Sequence, residues 1–575
     1  MKTHYSWIGA ALRWAGVVIA AAGLFAPWQA VAQNPWTPLK NLPPGGAGIG
    51  TMLLLSDGTV MAHQAPGGTN WYKLSPDSQG HYVNGQWTNR GSMTYTRQYF
   101  SSTVLRDGRV MVAGAEYGTG WNTAEVYSPF TDSWTPVSVP SSLLQQNNTV
   151  NPTTGANSAG FMDSGCVLLP DGKVLISPVN PGPPSGTVIF DPVLNTFSAG
   201  PILTNANANT DEQSWVKLPD DSILTFDSSL QSQRFIPSLN QWITDTNLPV
   251  QLYDAFGGEI GAGFLLPNGR AFYLGANGNT VLYVPTGDTN QGSWIIGPPI
   301  TNSQAAPDAA AAMMANGKIL CAVSPVPTSK PGLFTVPTTF YEYDYSVGSI
   351  GSFTQVKAPN GTFTNAGPTY NTRMLDLPDG TVLFTDGNSQ LYVYQPTTPP
   401  IAAGKPVISF ISQNGDGSYH LTGTGLNGIS QGASYGDDAQ MDSNYPLVQV
   451  TDGAGNVFYV LSYGWSSTGV RTGNAQVSTE FVTGLAPGAY AVRVVVNGNS
   501  SDPYTIYGPV WVDFNVAFPG AGTFISPYST LALGIANVPV SGSIFLKGPR
   551  TSHETMTINK AMSIVALGGP VTIGH

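Results

Sequence analysis

Residues 104–113, Val-Leu-Arg-Asp-Gly-Arg-Val-Met-Val-Ala, place the turn Asp107-Gly108 between two apolar runs. An aromatic strand, Ala124-Glu125-Val126-Tyr127-Ser128-Pro129, and then Ser133-Trp134 follow it. Asp-Gly accepts the positive φ angles of a tight hairpin, so this stretch predicts an antiparallel pair continued by two more short strands. The same turn recurs outward in both directions, at Asp57-Gly58, Asp171-Gly172, Asp220-Asp221, Asn268-Gly269, Asn316-Gly317 and Asp379-Gly380. That makes seven units spaced 48 to 64 residues apart. The fourth-strand aromatic of Trp134 has counterparts in Trp87, Phe197, Trp242, Trp294 and Phe353. Seven units of four short strands predict a closed β-propeller. Asp221 stands where the other turns have glycine and is expected to be strained.

The seventh unit reaches Leu391-Tyr392-Val393-Tyr394 and then runs into proline-rich sequence, while Trp36-Thr37-Pro38-Leu39 resembles an orphan fourth strand. The N-terminal segment is therefore expected to close the ring and remove its open sheet edges. After the linker Pro396–Lys405, residues 406–518 alternate as Leu447-Val448-Gln449-Val450 does and predict an immunoglobulin-like β-sandwich. Residues 519–575 hold short apolar runs at Phe545-Leu546, Met556-Thr557-Ile558 and Met562–Val565, a β-helix-like tail too small to bury a core alone. The expected fold class is all-β: a seven-bladed kelch-type β-propeller over residues 33–400, the sandwich, and a short β-rich tail.

Composition narrows the function. With 33 acidic and 22 basic residues the formal charge is −11, which argues against a nucleic-acid partner. Two cysteines exclude a disulfide scaffold, and Cys166 and Cys321 read as buried free thiols. Lys2 and Arg13, the apolar run Ala15–Ala26 and Ala30-Val31-Ala32 have the layout of a secretory signal peptide cleaved after Ala32. Its loss takes away two cations and no acids, moving the charge from −11 to −13. The expected mature chain is periplasmic, secreted or at the cell surface, with no membrane span.

A seven-unit propeller followed by such a sandwich resembles the galactose oxidase/glyoxal oxidase family of copper-radical enzymes, over about residues 33–515. Two motifs carry the resemblance: Arg97-Gln98-Tyr99-Phe100-Ser101-Ser102 before Asp107-Gly108, and Tyr370-Asn371-Thr372 before Asp379-Gly380. The resemblance implies that Tyr99 takes the place of the radical tyrosine, Tyr370 that of the axial tyrosine and Tyr117 that of the shielding tryptophan. It also implies a histidine where Asn371 stands, a second in the loop Ala433–Gln440, and a crosslinking cysteine near Gly50-Thr51-Met52; this chain has none of these. Losing both imidazoles should greatly weaken copper binding. A rearranged shell would draw on Tyr99, Tyr370, Asn371 and His63, the histidine placed nearest the channel. A lone channel histidine such as His63 is more often a hydrogen-bonded wall residue than a ligand.

The residue eight or nine places before each turn marks where an inner strand enters the channel. Round the ring these are Ile49, Tyr99, Asp163, Glu212 beside Asp211, Glu259, Asp308 and Tyr370, with Arg97 and Arg373 opposite. Four consecutive acids would share one funnel and either hold Ca²⁺, bind sugar hydroxyls, or cap neighbouring backbone N–H groups. Asp437, Asp438 and Asp442 form a further acidic turn, read either as a calcium loop or as solvated surface. No P-loop, dinucleotide fingerprint, His-Glu-x-x-His or Gly-x-Ser-x-Gly motif is present. The expectation is an exported propeller that binds a glycan or a surface protein without a complete copper site. The alternatives are a copper-radical alcohol or aldehyde oxidase with a rearranged shell, an acid-ring hydrolase and a calcium-dependent lectin.

Overall fold

A computed structural model describes residues 34–574 except 145–147, 151–156, 163, 179–185, 205–212, 257, 333, 415, 433, 436–443, 471–474 and 483. Each of the seven repeat units forms one antiparallel sheet. The second, for example, runs Ser101–Val104, Val110–Ala113, Ala124–Ser128, Ser133–Val137. First strands are adjacent in turn round a circle. The strand Ile49–Leu54 meets both Ser101–Val104 and Arg373–Asp376, and the fifth and sixth units join where Asp308 N–H donates to Ile260 O. The chain is therefore an all-β propeller. Aromatic side chains fill the layers between sheets, with Phe272 stacked on Tyr343 and Trp71 packed on Trp134.

The hairpins differ from the expected two-residue turns. In six of the seven only the glycine takes positive φ, from +71° at Gly58 to +87° at Gly172, and each of these turns is a three-residue loop closed by that glycine. The residue before it is Asp or Asn because its side-chain oxygen accepts the N–H two residues on, as Asp57 does from Thr59 and Asn268 from Arg270. Asp221 adopts the glycine conformation at φ +66°.

The strand Trp36–Pro38 completes the seventh sheet antiparallel to Tyr392–Tyr394, with Trp36 opposite Tyr394. Two further sheets, one containing Tyr419–Thr424 and Gln476–Phe481, the other Leu447–Thr451 and Gly488–Val496, enclose a shared core of Leu421, Phe481, Val448, Val450, Val492 and Val494. From this sandwich a segment threads into the propeller. Gln431–Gly432 pairs with the inner strand Gly263–Leu265, and Ser434–Tyr435 with Ser214–Lys217.

The tail begins earlier than expected. Val510–Val512, assigned by its sequence to the sandwich, pairs in parallel with Ser543–Lys547, which pairs in parallel with Ser563–Leu567. Arg550–Ser552 and Val571–Ile573 form a second parallel face. A helix, Leu531–Asn537, absent from the sequence reading, closes a small core over Val512 and Ile544. Met556-Thr557-Ile558 lies outside any strand.

Candidate functional site

Tyr99 sits just ahead of the inner strand Ser101–Val104, and Arg373 opens the inner strand Arg373–Asp376 two blades round the ring. The Arg373 guanidinium lies over the Tyr99 ring, 6.0 Å from its centroid, and the Tyr117 ring meets Tyr99 edge-on at 6.1 Å. Sequence places these side chains through backbone ties. Glu116 N–H donates to Tyr99 O at 2.9 Å, and Gln98 and Tyr117 form an isolated antiparallel bridge, holding the 114–120 loop against Tyr99. Arg373 is fixed by Nη1–H bonds to Tyr370 O (2.7 Å) and Thr372 O (2.8 Å). Tyr370 lies in the short 3₁₀ turn Thr369–Asn371, its ring against Phe334 at 4.9 Å. Thr369 Oγ1–H anchors that turn on Pro307 O, next to Asp308.

Tyr99 has φ +58° and Asp308 φ +45°. Two bulky or charged residues in the left-handed region, at matching positions ahead of inner strands, are strained backbone of the kind that collects at binding sites. Glu259 and Asp308 are half-buried and adjacent through the Asp308 to Ile260 bond, while Asp254 accepts the Glu259 N–H at 2.8 Å. Asp163, Asp211, Glu212, Asp437, Asp438 and Asp442 lie outside the described residues. Ile49 is buried in the first blade, and Asn371 is exposed.

Arg97 does not face the funnel. It is completely buried, with Nη1 donating to Gly114 O, Gly120 O and Thr123 O, and Nη2 to Glu125 at 3.1 Å. It is a pin beneath the loop that carries Tyr117, held there because a buried guanidinium needs a carboxylate and several acceptors.

His63 is likewise a wall residue. It is 2% exposed, its Nε2 lies 3.2 Å from Gly68 O, and Trp71 and Phe100 flank its ring at 5.0 and 5.1 Å. Burial lowers its pKa from 6.5 to about 4. Between those values the unfolded chain binds a proton that the folded chain refuses. This part of the stability is therefore complete above pH 6.5 and falls as pH drops toward 4, by about 3 kcal/mol. The expected result is that His63→Leu reduces the difference between urea midpoints measured at pH 7 and pH 5. An unchanged difference would mean that His63 carries none of it.

Among the described residues, the imidazole and thiols that could join Tyr99 and Tyr370 in a rearranged shell are held elsewhere. The His63 ring nitrogen is engaged in the wall. Cys166 Sγ is buried against Ser102 O, and burial raises its thiol pKa to about 12; Cys321 is also a buried free thiol. Among the described residues no group of three His, Cys, Asp or Glu side chains gathers as metal ligands.

Sequence reasoning passed over Lys217. Its ammonium is buried near the axis and donates to Thr468 O at 2.8 Å and to Leu168 O, beside a cavity of about 70 Å³ bordered by Trp215, Asn444 and Trp465. A lysine at the end of the apolar strand Ser214–Lys217 was the available signal.

No family model matches the chain, and no curated protein matches it. Among solved structures, a fungal alcohol oxidase described as showing catalytic diversity among the AA5 family, in complex with copper, aligns at TM-score 0.46 and 13% identity. The alignment covers 82% of this chain and 98% of that one. YCF48 bound to a D1 peptide aligns at TM-score 0.38 and 13% identity, covering 64% of this chain and 97% of its own.

Proposed function

We propose that the chain is an exported binding protein on a galactose-oxidase-like propeller, taking a glycan at the mouth of the central channel without a complete copper-radical site. The arrangement around Tyr99 carries this reading: a guanidinium over one tyrosine and a second tyrosine at its edge, with the half-buried carboxylates Glu259 and Asp308 ahead of inner strands of the fifth and sixth blades. Sugar hydroxyls both donate and accept, so they match a site that offers guanidinium N–H donors, carboxylate acceptors and phenol groups that do both. Export is supported by Lys2, Arg13, the Ala15–Ala26 run and Ala30-Val31-Ala32.

The experiment is calorimetric titration of oligosaccharides against the purified mature chain. Arg373→Ala is expected to weaken binding by about tenfold, the loss of one charge-assisted bond, while Tyr99→Phe keeps the ligand. Chelator leaves binding unchanged in this reading; loss of binding on chelation would replace it with a calcium-dependent lectin. Tight binding of one copper per chain, with peroxide released from an alcohol or aldehyde and abolished in Tyr99→Phe, would overturn it in favour of the oxidase.

A further inference from the structure

The face bearing the hairpin turns carries a groove that the channel mouth does not use. Its central part, a hollow of about 770 Å³, spans the third, fourth and fifth blades, with Ile189, Phe235 and Pro237 in its apolar wall. Through Asp171 and Lys173 it continues into a hollow of about 400 Å³ beside Val193 and Leu194, which are 86% and 68% exposed. Through Asp220 and Gly287 it continues into another of about 300 Å³. These two side chains give that end of the depression an exposed aliphatic pair.

The charge of the central hollow is one-sided. Asp171, Asp220, Asp221 and Asp288 line it, and Lys173 is its one lining cation, 3.3 Å from Asp171. Arg234, buried behind the wall, gives its Nε–H to Asp245 and its other donors to Asp288 O and Asn290 O, and lies 3.6 Å from Asp220. Over the three connected hollows the lining carboxylates are Asp107, Asp171, Asp191, Asp220, Asp221 and Asp288, against Arg106, Lys173 and Arg270. Asp288 is kept ionised by N–H bonds from the Asn290 backbone and side chain. An elongated hollow with an apolar wall and excess negative charge complements an extended chain that alternates cationic and apolar side chains.

We propose that this groove docks an extended basic segment of a partner protein, with lysine or arginine side chains over Asp220 and Asp288 and apolar side chains against Ile189 and Phe235. The site is separate from the Tyr99 funnel and stands whether or not that funnel binds glycan.

The test is fluorescence anisotropy of a labelled alternating lysine–leucine nonapeptide with the mature full-length chain. Saturable, salt-sensitive binding is expected. Asp220→Asn combined with Asp288→Asn should weaken it at least about tenfold. Asparagine keeps the turn-capping acceptor that Ser222 N–H uses on Asp220, so the fold is retained, as an unchanged melting temperature would confirm. Asp416→Asn with Asp452→Asn makes the same charge change on the sandwich and should leave binding intact, as should Arg373→Ala. Absence of saturable binding, equal loss in both Asp pairs, or equal affinity for a glutamate–leucine peptide or a neutral oligosaccharide competing at the groove would overturn the proposal.

Discussion

Leucine in place of Arg97 is expected to destabilise the protein by about 3–5 kcal/mol, because it leaves the Glu125 carboxylate buried without its counter-charge. Both side chains are 0% exposed. Glu125 would keep the Thr94 N–H at 2.7 Å and lose the guanidinium, while three carbonyls, of Gly114, Gly120 and Thr123, would lose a shared donor. The close approach of Arg97 also explains Gly120, where a Cβ would stand 2.7 Å from Nη1. Urea or thermal denaturation gives the measurement. The double variant Arg97→Leu/Glu125→Leu should recover part of the loss, since no isolated charge then remains buried. The same pin holds the loop bearing Tyr117, so Arg97→Leu should weaken ligand binding at the channel mouth as well. Equal stability of Arg97→Leu and the native chain would remove Arg97 from that structural role.

Much of this architecture is visible in the sequence because its hairpins are chemically determined. An Asp or Asn that accepts a local N–H, followed by a glycine at positive φ, has few alternatives, and seven of the units used it or its Asp220-Asp221 variant. Trp36 was legible for a related reason, since an aromatic strand without partners had to pair with a sheet that lacked one. The site was less legible. Tyr99, Tyr117 and Arg373 converge through long-range placement, and nothing local to Arg97 distinguishes a guanidinium aimed at the channel from one turned into the loop beneath it. The deciding partner, Glu125, is 28 residues away. Pairing of Gln431–Gly432 and of Ser434–Tyr435 with inner strands of the propeller was invisible because two-residue strands carry no periodicity. Val510–Val512 went to the wrong domain because alternation does not tell a parallel ladder from an antiparallel one.

Ring closure sets the other large expected effect. Trp36→Ala should destabilise the protein by about 3–5 kcal/mol and promote association. The indole is 4% exposed, with Phe340, Phe384 and Tyr394 edge-on to it at 5.2, 5.2 and 4.9 Å, and its Nε1–H donates to Lys357 O. Alanine would leave a cavity among three rings where the N-terminal strand zips the propeller shut. Leu39 N–H to Leu391 O and Gln395 N–H to Pro35 O hold the two ends of that zipper, and both lean on the tryptophan between them. Once the strand frays, Tyr392–Tyr394 becomes a free edge carrying two tyrosines and a valine, a template for pairing with another chain. Trp36→Phe keeps most of the apolar contact and gives up the Nε1 bond, so it should cost about 1 kcal/mol. Melting curves rank the three proteins, and size-exclusion chromatography near the midpoint should show oligomers in Trp36→Ala first. If Trp36→Ala melts with the native chain and stays monomeric, the N-terminal strand adds to the seventh sheet without securing the ring.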